Sequence, residues 1–163
     1  MYNKGLACAA VVINEACGWG NRLLLGHVGD SRAYLLRSGE LHQLTTDHTL
    51  AEDLIRTGAA AEAVKRVRHV LTNSLGGEEG SVRADIQEYR LEAQDQLLLC
   101  SDGLSDVVTA ADILAIMRQS ESAAVACEQL AAHDTGTAVL LGKAFTDGTA
   151  EPHFQRLAKK LGA

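Results

Sequence analysis

With 163 residues, 47% of them hydrophobic and 22% charged, the chain has the composition of one ordinary globular domain, and a single unit spanning 1–163 is expected. Its 15 Lys and Arg against 21 Asp and Glu leave a net charge of −6, the wrong sign for a dedicated nucleic-acid binder. Apolar stretches such as Ala7 to Ile13 fall far short of the roughly 20 residues a membrane-spanning helix requires. The opening MYNKGLAC also lacks an apolar signal core, so the expected location is cytoplasmic.

In chain order, strand-like runs come first: Leu6 to Asn14, Arg22 to Val28 and Ala33 to Leu36, then a tight turn at Ser38-Gly39 and Leu41 to Leu44. Together they predict an antiparallel meander. Thr46-Asp47 offers cap chemistry for a helical stretch with Leu50, Leu54 and Ile55 on one side, which Gly58 stops. An Ala-rich helical stretch then runs to about Val67. Val82, Ala84 and Ile86 alternate, Tyr89 and Leu91 continue the pattern, and EAQDQ reads as the turn of a hairpin into Leu97 to Cys100. Thr109 and Asp112 form a capping-box pattern ahead of Ile113, Leu114, Ile116 and Met117. A further helix is expected over Ser122 to Ala132, a last strand over Thr137 to Leu141, and a helix from Pro152 with Phe154, Leu157, Ala158 and Leu161 on one side. Strands and helices in blocks, with short links, predict an α+β fold with mostly antiparallel pairing.

The four cysteines, Cys8, Cys17, Cys100 and Cys127, show no CxxC pair and read as reduced, largely buried thiols. A thiolate phosphatase needs a cationic cradle just after its Cys, whereas CSDGLSD after Leu99 supplies two acids, which excludes that mechanism for Cys100. Chemistry is better sought where an apolar strand ends in a carboxylate beside a glycine. This occurs twice, at Asp30 in LLLGHVGDSRAYLL and at Asp102 in LLLCSDGLSDVV. The glycine permits a sharp turn and leaves room for a cation, while the strand fixes the acid. Asp-Gly is equally a common turn dipeptide, so each motif alone reads as a turn. A His-Asp phosphohydrolase built on His133-Asp134 would need more histidines, and His27, His42, His48, His69 and His153 lack the spacing.

Taken together, VGDSRAYLLRSGELHQLTTDH, RHVLTNSLGG, QLLLCSDGLSDVV and ACEQL, in that order, resemble the metal-dependent PPM family of protein phosphatases, also called type 2C, in its bacterial form. The resemblance runs from about Leu6 to Leu141. It implies a four-layer αββα sandwich with a Mg²⁺ or Mn²⁺ cluster in the cleft between the ends of two sheets. It also implies a hydrolase acting on Ser/Thr-phosphorylated proteins in signalling. Asp102 of SDGL matches an acidic ligand of the catalytic metals, and Asp30 of VGDSR matches an acid that holds an additional metal with it. Asp134 of HDTGTAVLL stands where the family has an Asp-Asn pair, though Thr135 replaces the Asn. Residues from about 48 to 68 match the variable flap beside the active site. The basic end Lys65, Arg66, Arg68 and His69 either faces a phosphopeptide or forms a solvated surface.

The family's early phosphate-binding Arg and its Asp-Gly-Met-Gly-Gly motif, whose acid bridges both metals, have no counterpart in these 163 residues, and Asp147-Gly148 comes too late to serve. The expectation is thus an amino-terminally truncated sandwich with a divergent segment over 142–163, impaired as a phosphatase. A catalytically inactive binding or regulatory module stays open as the alternative. The uncovered first strand further predicts pairing with a second copy.

Overall fold

Burial differs from strand to strand. The computed structural model describes residues 8–13, 22–76, 82–133 and 138–143. In chain order the elements are β1 (Cys8–Ile13), β2 (Arg22–Val28), β3 (Arg32–Arg37), β4 (Glu40–Gln43), α1 (Leu50–Arg56), α2 (Ala61–Arg66), β5 (Asp85–Arg90), β6 (Gln96–Cys100), α3 (Asp102–Ser105), α4 (Ala110–Gln119), α5 (Ala123–Ala132) and β7 (Ala138–Lys143). They form two antiparallel sheets, of order β1-β2-β5 and β4-β3-β6-β7. On β2, Leu23, Leu25 and His27 are buried on one face, while on the other Arg22 and Leu24 are exposed and Val28 is buried at the strand end. On β3, Ala33, Tyr34, Leu35 and Leu36 are all buried, which requires cover on both faces.

That cover comes from two sides. Leu35 and Leu97 of the four-stranded sheet meet Leu23 of the three-stranded sheet in an inter-sheet core completed by Leu91. Tyr34, Leu36, Leu98 and Cys100 point the other way, into a core with Leu104, Ile113, Met117, Cys127 and Leu130 under α4 and α5. The α+β expectation is met. Among the described residues the layers are two sheets and one helical layer, and the outer face of the three-stranded sheet presents Leu24 and Ile86, 45% and 68% exposed. No described helix is long and apolar enough to cross a membrane.

Two pairings differ from the sequence expectation. The first four strands are not one meander, because β2 belongs to one sheet and β3 to the other. The apolar run of β3 needs the doubly covered middle layer, and Gly29, at φ +100°, turns the chain across. Likewise β5 and β6 are not a hairpin. The link between them also changes sheets, held where Arg37 donates from Nε and Nη2 to the buried Asp95 at 3.0 and 2.6 Å and from Nη2 to the Arg90 carbonyl. The β3–β4 link is a true two-residue hairpin, with Ser38 and Gly39 both at positive φ as the twist of paired strands favours.

The Thr109 cap follows the sequence expectation, and Ser122, expected as the first residue of a helix, is the cap before it. Thr109 accepts from the Asp112 N–H and donates to its carboxylate, and Ser122 accepts from the Val125 N–H. The cap of α1 is Thr49 rather than Thr46-Asp47, since Asp47 is engaged by Arg32. Within α1, Ile55 is exposed and only Ala51 is fully buried, so this helix rests lightly on the body. Asp134, Asp147-Gly148 and the helix expected from Pro152 lie outside the described residues.

Candidate metal centre

Strand register brings the two sequence-predicted acids together. The β3–β6 ladder ends at the pair Arg32 and Cys100, and Asp30 and Asp102 each stand two residues beyond it, at the same end of the sheet. Asp30 sits in the crossing turn after β2, and Asp102 opens α3, with the Gly103 N–H donating to its Oδ1 at 2.9 Å. Burial pushes the Asp30 carboxyl above the usual carboxylate range, and the neighbouring charges of Asp102, Asp47 and Asp106 push it further, against the pull of its own backbone N–H. Four acids therefore converge on this end of the molecule.

Two of the four have basic neighbours. Arg32 grips Asp47 through Nε at 2.9 Å and Nη2 at 2.7 Å, a forked pair that raises the guanidinium pKa, while its Nη1 donates to the Tyr34 hydroxyl. Asp106 has His69 Nδ1 3.7 Å from its Oδ2, and Arg68 donates to the other ring nitrogen of that histidine. The carboxylates of Asp30 and Asp102 have no cationic partner among the described residues. Their hard oxygen donors suit Mg²⁺ or Mn²⁺, and a cation between them would offset the burial cost and the repulsion that raise the Asp30 pKa.

Beside this centre, His27, His48 and Asp85 place one potential ligand atom each within 4.8 Å of one another. Hydrogen bonding argues against a metal there. The Gly29 N–H donates to His48 Nδ1 at 3.0 Å, so that nitrogen presents a lone pair and the ring proton sits on Nε2, which donates to Asp85 Oδ2 at 3.0 Å. A metal on Nε2 would leave the ring with no proton on either nitrogen, whereas ligating histidines ordinarily keep an N–H on the second one. His27 is buried with neither ring nitrogen in a hydrogen bond; the Ser31 backbone favours its charged form without hydrogen-bond geometry. Burial and the nearby His48 ring, 4.8 Å away between centroids, lower its pKa.

Cys100 is a buried thiol pushed up to about 12, with burial the largest cause. The sequence argument invoked the two acids that follow, and Asp102 does contribute, but less than burial, and Arg32 pulls the other way. The residues that sequence reasoning passed over are Asp47, His48 and Asn73. Asp47 was read as a cap, and the hydrogen-bonding groups in TTDH and TNS were the available signal.

Residues 6–137 match the family model for protein phosphatase 2C, and the chain belongs to that family. The serine/threonine phosphatase stp of Listeria welshimeri is 38% identical over 105 residues, covering 63% of this chain and 41% of that protein. The serine/threonine protein phosphatase PstP of Mycobacterium tuberculosis is 44% identical over 107 residues, covering 64% of this chain and 20% of PstP. The chain thus spans less than half the length of these relatives. Among solved structures, the M. tuberculosis PstP phosphatase superposes with a TM-score of 0.72 at 35% identity, over 85% of this chain and 60% of that one. The PstP catalytic domain in complex with two manganese ions gives a TM-score of 0.70 at 34% identity, over 85% and 58%.

The raised Asp30 pKa has a signed consequence. A carboxyl that holds its proton more tightly when folded contributes stability below the ordinary carboxylate range, and loses it as pH rises through the folded value. Asp30→Asn is therefore expected to raise the melting temperature of the metal-free chain at pH 7, with the gain shrinking to nothing as pH falls below the ordinary carboxylate range. Scanning calorimetry across pH in EDTA measures it; a loss of stability at pH 7 would contradict the electrostatic account.

Proposed function

We propose that the chain carries metal-dependent protein serine/threonine phosphatase chemistry, hydrolysing phosphate esters on proteins, with Asp30, Asp102 and Asp134 as ligands of Mg²⁺ or Mn²⁺. The observation that carries this reading is the β3–β6 register, which sets Asp30 and Asp102 at one end of the sheet, neither with a cationic partner among the described residues. The family membership and the relatives named as phosphatases favour the enzyme over an inactive binding module. Asp134 enters on its place in HDTGTAVLL alone.

When bound, divalent ions supply an acidified water and neutralise phosphate oxygens. The chain's own part is to hold oxygen ligands on strand ends, where the backbone is rigid. Arg32 is committed to Asp47 and so is not a phosphate ligand. Among the described residues, the exposed basic segment Lys65, Arg66, Arg68 and His69 offers cationic groups to a phosphoprotein, and its last residue lies beside Asp106.

The same reading treats residues 1–163 as one phosphatase-like domain, with a flap over about 48–68 and a divergent segment over 142–163. Support for the flap is the tie at its base: Leu50 N–H donates to Val70 carbonyl, Thr72 N–H to His48 carbonyl, and Thr49 bridges to Leu71. It also includes pairing of two copies across the exposed Leu24 and Ile86 face.

Joined to a segment carrying the Asp-Gly-Met-Gly-Gly motif ahead of Leu6, the chain is expected to release phosphate from a phosphothreonine peptide in Mn²⁺, and Asp102→Asn should slow this roughly a hundredfold. A joined protein with no Mn²⁺-dependent turnover, or turnover untouched by Asp102→Asn, would refute the assignment. Light scattering on the 163-residue chain should report a mass of at least twice 17.3 kDa, falling toward one copy in Ile86→Lys. A monomer at high concentration would refute the pairing.

A further inference from the structure

The Asp30 side chain has no hydrogen-bond partner on another residue among the described residues, so its aim depends on the backbone either side of it. Gly29, immediately before it, is buried at φ +100° and lies beyond the strand pairing, which ends at Val28 with β1 and at His27 with β5. Its N–H and carbonyl therefore need partners outside the ladder, because a buried unpaired backbone group is costly. One residue supplies both. The Gly29 N–H donates to His48 Nδ1 at 3.0 Å, and the His48 N–H donates to the Gly29 carbonyl at 2.8 Å.

The ring making this clasp is itself held. Asn73 Nδ2 lies 3.1 Å from the same Nδ1 and donates to the Arg83 carbonyl, and His48 Nε2 donates to Asp85 at 3.0 Å. The adjacent residue, Asp47, grips Arg32 on the far side of Asp30. Thus the dipeptide Asp47-His48 pins the chain on both sides of the candidate ligand.

From this geometry we infer that His48 is a positioning residue for Asp30: as the Nε2–H tautomer it accepts the Gly29 N–H and so fixes the direction in which the Asp30 carboxylate points. The inference rests on the reading of Asp30 as a metal ligand. It assigns the role to Nδ1, not to the bond with Asp85, and two substitutions separate the two. In His48→Asn the amide oxygen takes the place of Nδ1 and can accept from Gly29. In His48→Gln the amide reaches the place of Nε2 and keeps only the Asp85 side.

The test combines nuclear magnetic resonance with Mn²⁺ titration on the 163-residue chain. In the unaltered protein, a long-range proton–nitrogen correlation should show His48 Nδ1 without a proton, and the Gly29 amide should be protected from exchange; a protonated Nδ1 or an unprotected Gly29 overturns the inference without any variant. His48→Gln should lose the Gly29 protection and weaken Mn²⁺ binding about tenfold or more, the scale seen when partners that orient a metal ligand are removed. His48→Asn should retain both. If Asp30→Asn weakens Mn²⁺ binding while His48→Gln, having lost Gly29 protection, does not, the positioning role is refuted and the metal reading stands. If neither weakens it, the reading of Asp30 as a ligand fails and the inference falls with it.

Discussion

The architecture depends on one backbone conformation, that of Gly29. At φ +100° in a buried position it lets the chain leave the three-stranded sheet after β2 and enter the four-stranded sheet as β3. A side chain there would carry a left-handed strain of about 1–2 kcal/mol. From that crossing follow the inter-sheet core of Leu23, Leu35 and Leu97, the doubly covered run of β3, and the placement of Asp30 in the turn that links the two sheets. The neighbouring β6 then brings Asp102 to the same end.

Electrostatics sort the acids gathered there. Asp47 is committed to Arg32 and Asp106 neighbours His69, which leaves Asp30 and Asp102 facing each other's charge. The arrangement is unfavourable in isolation, and the divalent cation proposed for it would offset that cost. The buried Cys100 thiol at the end of β6 is pushed up to about 12 and so supplies no thiolate at neutral pH.

Much of this was legible in the sequence for a physical reason. Strand runs and capping residues are local signals, and the bounds of β2, the turn at Ser38-Gly39 and the cap Thr109 follow from them. The pairing of strands was not. Whether β2 turns back on itself or crosses to a second sheet is decided by which core has room for the side chains of Ala33 to Leu36, a non-local matter. For the site, a carboxylate beside a glycine at a strand end is a local mark, and it picks out Asp30 and Asp102, which the β3–β6 register brings to one end of the sheet. Asp47 and His48 were hidden because their roles are defined by partners 15 and 19 residues away, Arg32 and Gly29. Asp134 was named on a motif alone and belongs to residues that are not described.

The central claim is that Asp30 and Asp102 act on one cation. A double-mutant cycle measured by Mn²⁺ calorimetry, with Asp30→Asn, Asp102→Asn and the pair, tests it most directly. A shared site predicts that either substitution alone removes most of the affinity and that the second adds little. Losses that simply add, or a substitution without effect, would show that the two carboxylates do not hold the same ion.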